Sequence, residues 1–350
     1  MLSPVSMLGL ASAVPSHKLG QAEIVHVARE IFAPVLQRYP QLIDVFVNSG
    51  IEQRYSVVPM AWFHREQGWQ ERTQAYLDGA GALFVAAAER ALAKAGIAAR
   101  DVDVVVTVSS TGIATPSLDA RIGKRLGFRP SISRVPVFGL GCAGGVSGLS
   151  IGARLARSEP GAIVLLVAVE LCTLAFRRDR ESKADVVATA LFGDGAAAAV
   201  LQVQSGNARA RIGMASEHTW PATLDIMGWS VDPIGFGVVL SRALPKFVEQ
   251  RLAAPARRFA AALATAGAPR FICHPGGAKV LAAIEAALDL DDGTLAVERE
   301  ILRDFGNMSA PTVLFVLERI LAEGFCGSAI LSALGPGFTA SFLAIEAGRG

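Results

Sequence analysis

The chain has 350 residues, 52% of them hydrophobic and 18% charged, with a formal net charge of +2 at pH 7. Its basic residues are dispersed rather than striped, which excludes a nucleic-acid-binding surface, and the length suffices for two domains or one large two-part fold. A mean hydropathy of +0.42 calls for extensive buried sheet and a subunit interface, not a membrane span. The longest apolar run near the chain centre, residues 162–169, is far below the ~20 residues that cross a bilayer.

The N-terminal stretch MLSPVSMLGLASAVPSHKL has no basic start followed by a long apolar segment, so no secretion signal is read. Helical patterning over residues 80–96 leads into a strand at 101–110. A second helix at 146–158 leads into a strand at 161–170, whose continuous apolar run reads as buried on both faces. Later, a helix at 245–267 precedes a strand at 270–274, and a helix at 310–324 precedes a strand at 327–334. Such alternation predicts a largely parallel α/β architecture.

The two halves echo each other. AERALAKAGIAARDVDVVVTVSS and RRFAAALATAGAPRFICHPGG share one plan: an alanine-rich helix, an Ala-Gly stop, a short link and a strand ending in polar residues. GVSGLSIGARLARSEPGAIVLLVAVE likewise parallels SAPTVLFVLERILAEGFCGSAILSALGPG, and Gly96 to Gly267 and Gly161 to Gly327 give similar offsets. This predicts duplication of a whole α/β unit, with a 1–205 half and a 206–350 half meeting in the polar stretch at 204–210. Sites are then expected at strand ends.

The sharpest chemical feature is Cys142. An apolar run at 135–140 stops at Gly-Cys-Ala-Gly-Gly, and a helix follows directly. A thiol at a helix N-terminus meets unpaired N–H groups and the positive end of the dipole, which favour its ionisation. The competing reading is a buried structural cysteine. His274 stands at a strand end before Pro-Gly-Gly, and Asn307 at the mouth of a helix in DFGNMSAPTVLFVL. Singly, each has a structural alternative, a satisfied core histidine and an N-cap. Placement of all three at similar junctions predicts that they converge. Cys142, Cys172, Cys273 and Cys326 lack disulfide or zinc spacing, which suits a reducing cytoplasm. No metal-ligand cluster and no G-x-G-x-x-G after a first strand is present, so no cofactor is expected.

GCAGG, ALFGDGAAA, HPGG, GNMSAPTVLFVL and GPGFTA resemble, in order and spacing, the type III polyketide synthases, the chalcone-synthase-like branch of the thiolase superfamily. The resemblance runs from about Ser6 to Glu346. It implies a thiolase-like fold in a layered αβαβα arrangement and a Cys142–His274–Asn307 triad. Cys142 would carry an acyl group taken from a CoA thioester, and His274 would stabilise its thiolate as an ion pair. Malonyl-CoA would lose CO₂ to an enolate held by His274 and Asn307, which attacks the acyl-cysteine in a Claisen condensation. Phe192 matches a gatekeeper between CoA tunnel and cavity. Asp194 is read as a structural turn residue, and Gly335-Pro336-Gly337 as a loop shaping the cavity floor. Ser309 belongs to the cavity set, and Gly276 and Gly277 to the CoA-binding set. The family's cross-dimer loop falls near Thr115, which implies a homodimer whose partner completes the cavity wall.

The departures carry information. The second gatekeeper falls at Val238, and Cys172, Ala175 and Thr111 stand at cavity-lining positions. These small residues resemble bacterial members that thread a long acyl chain into an added tunnel, which implies a medium- or long-chain fatty acyl starter and an alkylpyrone or alkylresorcinol product. Trp229 falls near a glycine position of the plant enzymes, with plain core packing as its alternative. Gln41, Asp44 and Asn48 replace the expected basic CoA cluster, and Arg242 remains a phosphate candidate. An acyl donor presented on a carrier protein therefore stands beside CoA. The alternatives are a single-condensation β-ketoacyl-carrier-protein synthase, a papain-like protease and a non-catalytic acyl-CoA-binding protein. The protease is opposed by the residue after Cys142, alanine where tryptophan or tyrosine would stand.

Overall fold

The computed structural model describes residues 3–203, 208–263 and 267–348. Its strands are β1 (Val5–Ala13), β2 (His17–Gly20), β3 (Gln53–Ser56), β4 (Val104–Val108), β5 (Ser133–Val137), β6 (Val164–Leu171) and β7 (Asp194–Gln202). They continue as β8 (Ala210–Thr219), β9 (Met227–Val231), β10 (Phe236–Leu240), β11 (Arg270–Cys273), β12 (Gly327–Gly335) and β13 (Thr339–Ala347). Nine of them form one sheet in the order β11-β12-β13-β8-β1-β7-β6-β4-β5.

The sheet is mixed, which corrects the expectation of a largely parallel one. Only β11/β12, β4/β6 and β4/β5 pair in parallel. The other five pairs are antiparallel. The reason is connectivity: β12 returns directly through a tight turn into β13, and β7 returns against β6. Helix–strand alternation in sequence does not report such returns. From the central β1/β8 pair outwards, β7-β6-β4 and β13-β12-β11 repeat the same pairing pattern, with β5 extending only one side.

Five layers result. The helix Trp69–Ala95 covers β1, β6 and β7, while the helices Gly144–Ser158 and Thr312–Ala322 lie between the two sets of strands. Beyond the second set, Leu244–Arg251, Ala253–Ala261 and Ala278–Leu288 share a core with Ile330 and Phe342. The double burial expected of the strand at 161–170 holds. In β6, Leu165, Val167 and Val169 enter one core, and Val164, Leu166 and Ala168 enter the other.

Several boundaries move. The predicted helix at 80–96 begins at Trp69, where Glu71 accepts from Gly68 N at 3.0 Å, and ends at Gly96 with φ of +67°. The predicted helix at 245–267 is two helices, broken at Leu252; residues 264–266 lie outside the described set. The run at 135–140 pairs only as far as Val137, and 138–140 is loop. Of the boundary stretch at 204–210, residues 204–207 lie outside the described set.

Candidate active site

Cys142 sits in a short 3-10 turn, Gly141–Ala143, that feeds the helix Gly144–Ser158. The Ser110 hydroxyl accepts from Gly139 N and Gly141 N at 3.1 and 3.3 Å and so fixes the loop before the thiol. Gly145 lets this helix start touch the segment after Asn307: a Cβ there would lie 2.3 Å from the Ala310 carbonyl oxygen. Close approach of two backbones requires glycine at that point.

Asn307 follows Gly306, whose φ of +69° ends the helix Ala296–Phe305. The expected strand–turn–helix junction is therefore helix–turn–helix here. A single parallel bridge to Phe192 replaces the missing strand. The Asn307 amide nitrogen Nδ2 donates to Gly276 O at 3.1 Å, and its Oδ1 accepts from Ser309 N at 2.8 Å. The Cys142 thiol reaches that same Oδ1 at 4.0 Å. His274 closes β11, its backbone N donating to Ser332 O at 2.8 Å. Its ring is buried, and among the described residues neither ring nitrogen has a hydrogen-bond partner. Cys142, His274 and Asn307 all line one cavity of about 730 Å³.

Burial governs the charges. Desolvation pushes the Cys142 thiol up to about 11, against hydrogen bonding from Ser309 and Asn307. It holds the His274 imidazolium down to about 3. This runs against the expectation that the helix terminus favours ionisation of the thiol, loss of water being the largest effect on it. A thiolate here needs a counter-ion, and His274 lines the same cavity.

The other sequence candidates divide. Phe192, Arg242, Gly276 and Gly277 line the large cavity, together with Gln41, Asp44 and Asn48. Phe192 also lines a second, apolar space of about 60 Å³ with Cys172, Ala175 and Val238. Thr111, Thr115, Trp229, Ser309 and the Gly335–Gly337 loop line neither. The Thr111 hydroxyl instead donates to Glu170 at 2.8 Å and accepts from Leu171 N. Trp229 stacks on Phe236 and donates from Nε1 to Ser110 O at 2.9 Å. Thr115 is exposed. Gly335 and Pro336 pack under the nucleophile turn, since Cβ atoms added at Gly335 and Gly141 would meet Ala143 and Pro336 at 2.6 Å. The cavity wall is made by their neighbours Leu334 and Phe338. Asp194 is structural, as expected, accepting from Val57 N and from Thr173 N and Oγ1.

Sequence reading missed three groups. Lys183 and Lys279 line the cavity beside Arg242, so a basic set is present after all, on different elements. Lys279 lies just after the HPGG turn, and Lys183 starts a capped helix. Glu170 is a wholly buried carboxyl at the end of the apolar β6, pushed up to about 8 by desolvation; a lone acid in that run was its signal.

Two family models cover nearly the whole chain: "Chalcone and stilbene synthases, N-terminal domain" over residues 4–205 and the corresponding C-terminal domain over 211–346. A 1,3,6,8-tetrahydroxynaphthalene synthase of Streptomyces peucetius subsp. caesius is 36% identical over 97% of this chain and 93% of its own. A putative chalcone synthase of Bacillus subtilis strain 168 is 33% identical over 96% and 97%. The crystal structure of the 1,3,6,8-tetrahydroxynaphthalene synthase of Streptomyces coelicolor A3(2) superposes with a TM-score of 0.92, at 27% identity over 99% and 100% of the two chains. PKS-I of the brown alga Ectocarpus siliculosus gives 0.90 at 26%, over 99% of each chain. The half carrying Cys142 and the half carrying His274 and Asn307 are thus matched in order, and the chain belongs to the chalcone and stilbene synthase family of type III polyketide synthases.

Proposed function

We propose that this polyketide synthase loads an acyl group from an acyl-CoA onto Cys142 and extends it by repeated decarboxylative condensation with malonyl-CoA. The carrying observation is the buried His274 ring, both nitrogens unpartnered, in one cavity with Cys142 and Asn307. In loading, the Cys142 proton passes to His274, so both charges form together and offset each other's desolvation. The thiolate attacks the thioester carbonyl, and the expelled CoA thiolate takes the proton from His274. In extension, CO₂ leaves malonyl-CoA and its electron pair becomes an enolate. His274 and the second Asn307 Nδ2 hydrogen donate to the enolate oxygen. The enolate carbon attacks the acyl-Cys142 carbonyl, Cys142 departs as thiolate, and the longer β-keto thioester remains on CoA. No metal or organic cofactor enters this scheme.

Lys183, Arg242 and Lys279 would take the phosphates of CoA, or the phosphopantetheine of a carrier protein. The starter would be a medium- or long-chain fatty acyl group, with its tail beyond Phe192 among Cys172, Ala175 and Val238, released as an alkylpyrone or alkylresorcinol. A second reading is favoured by the small size of that apolar space, about 60 Å³: a product without an alkyl tail, like those for which the tetrahydroxynaphthalene synthases are named. Mass spectrometry of products from malonyl-CoA with starters from acetyl to about C20 separates the two. Alkylated products support the tail reading, and products from malonyl-CoA alone support the second. No product, with Cys142 unacylated, defeats both.

We further propose a cytoplasmic homodimer, joined where Ile113 and Phe138 are exposed at 53% and 57% beside the sheet edge β5, with Thr115 turned to the partner. Among the described residues no helix is long and apolar enough to cross a membrane. The halves 1–205 and 206–350 stand as the proposed domain division.

A further inference from the structure

We infer that Arg54, held by Gln21, is a positioning residue for the gate segment at Phe192 and, through it, for Asn307; this rests on the reaction proposed above. Arg54 lies in β3 and is 1% exposed, among the largest fully buried side chains. Its Nη1 donates to Thr189 O at 2.7 Å and Phe192 O at 3.0 Å. Its Nη2 donates to Ala190 O at 2.7 Å and to Gln21 Oε1. Thr189 and Ala190 belong to the last turn of the helix Lys183–Leu191, and Phe192 is its C-cap. Carbonyls there have no partner within the helix and carry the negative end of its dipole. One guanidinium thus supplies both the donors and the charge that this helix end needs.

The clamp reaches the reacting groups through two backbone bonds. Gly193 N donates to Asn307 O at 3.0 Å, and Asn307 N donates to Leu191 O at 2.8 Å. The segment gripped by Arg54 is therefore one hydrogen-bonded unit with the asparagine. The arginine stem is also the floor on which the two segments cross. A Cβ at Gly193 would stand 2.6 Å from Phe305 O and 3.2 Å from the Arg54 Cβ. One at Gly306 would stand 2.9 Å from Leu191 O and 3.4 Å from that same Cβ.

On its other side the network runs to the wall of the large cavity. Gln21 Nε2 donates to Phe46 O at 2.9 Å and to Ser49 Oγ at 3.1 Å, and Ser49 lines the large cavity. A polar chain of buried side chains thus joins the cavity wall at Ser49 to the Phe192 segment and the asparagine. Burying a cation is costly for stability, and burial lowers the Arg54 guanidinium to about 9, still charged at neutral pH. Geometry is what the arrangement secures.

Arg54→Lys keeps the cation but cannot span both sets of acceptors, and Gln21→Met keeps the bulk but removes the Arg54 acceptor and the link to Ser49. Each variant is compared with wild type at equal folded fraction, checked by near-ultraviolet circular dichroism. Acyl loading of Cys142 is read by intact-protein mass, and CO₂ release from malonyl-CoA by its rate. We expect loading to stay within about threefold while kcat for CO₂ release falls about tenfold or more in Arg54→Lys, and less in Gln21→Met, with KM changing little. Loading and decarboxylation falling in the same proportion, or neither falling, overturns the inference. Should Arg54→Lys not fold, Gln21→Met decides by the same ratio. A wild-type protein that neither loads nor decarboxylates overturns the proposed reaction as well, whereas an active wild type with proportional losses overturns only the role of Arg54.

Discussion

Phe192 and Asn307, 115 positions apart in the chain, form a parallel β-bridge that places the phenylalanine side chain and the asparagine amide on one hydrogen-bonded unit. The two side chains therefore share a register set by the backbone. The Asn307 side chain then spans the Gly276 carbonyl and the approach to Cys142.

Because Asn307 Nδ2 has one hydrogen on Gly276 O and a second to offer the enolate, Asn307→Ala should cut CO₂ release from malonyl-CoA by ~10²–10³. Starter loading at Cys142 should change far less. Equal losses in the two rates, measured by CO₂ release and intact mass, would count against the assignment.

Burial, the largest of several effects, pushes the Cys142 thiol up to about 11. If His274 is the counter-ion of the thiolate, iodoacetamide alkylation of Cys142 followed against pH should shift to higher pH in His274→Gln than in wild type. An unchanged midpoint would remove His274 from that role. Cys142→Ala serves as the control and should take up neither label nor acyl group.

Gly335 supports the nucleophile turn from below, and a Cβ there would lie 2.6 Å from both the Ala143 Cβ and Leu140 O. Gly335→Ala should cost about 1–3 kcal/mol of stability by overpacking. Loading should slow as well, since the displaced atoms adjoin Cys142. Denaturant midpoints and loading rates matching wild type would show the contact to be soft.

Cys172, Ala175 and Val238 make one wall of the apolar space behind Phe192. If an acyl tail lies there, Cys172→Phe should shorten the longest starter accepted, read from products of a chain-length series. An unchanged length profile would place the tail elsewhere.

The Glu170 carboxyl is raised to about 8 by desolvation, against hydrogen bonds from Ser110 and Thr111. Between the ordinary carboxyl value of 4.5 and about 8, the folded chain keeps a proton that the unfolded chain has released. The associated stability is full below the lower value and is lost as pH rises through the upper one. Unfolding free energies from denaturant titrations at about pH 5 to 9 should fall more steeply for wild type than for Glu170→Gln, by up to ~1.4 kcal/mol per pH unit. Parallel curves would show that the carboxyl ionises freely in the fold.

What the sequence determined by itself was local: the glycine-flanked Cys142 before a helix, the doubly buried β6, the repeated helix–strand plan, and His274 and Asn307 set at turns. Apart from the repeat, each is a statement about near neighbours in the chain, where periodicity and turn chemistry act directly. Tertiary structure alone decided the rest. Antiparallel returns made the sheet mixed, and a single bridge to Phe192 took the place of the strand expected before Asn307. Desolvation reversed the charge preference that the helix terminus suggested for Cys142. Arg54 reads as an ordinary strand arginine until burial closes it over three carbonyls from a helix more than a hundred residues away. Hydrogen-bond partners and loss of water depend on what packs together, and packing joins segments whose separation along the chain carries no periodic signal.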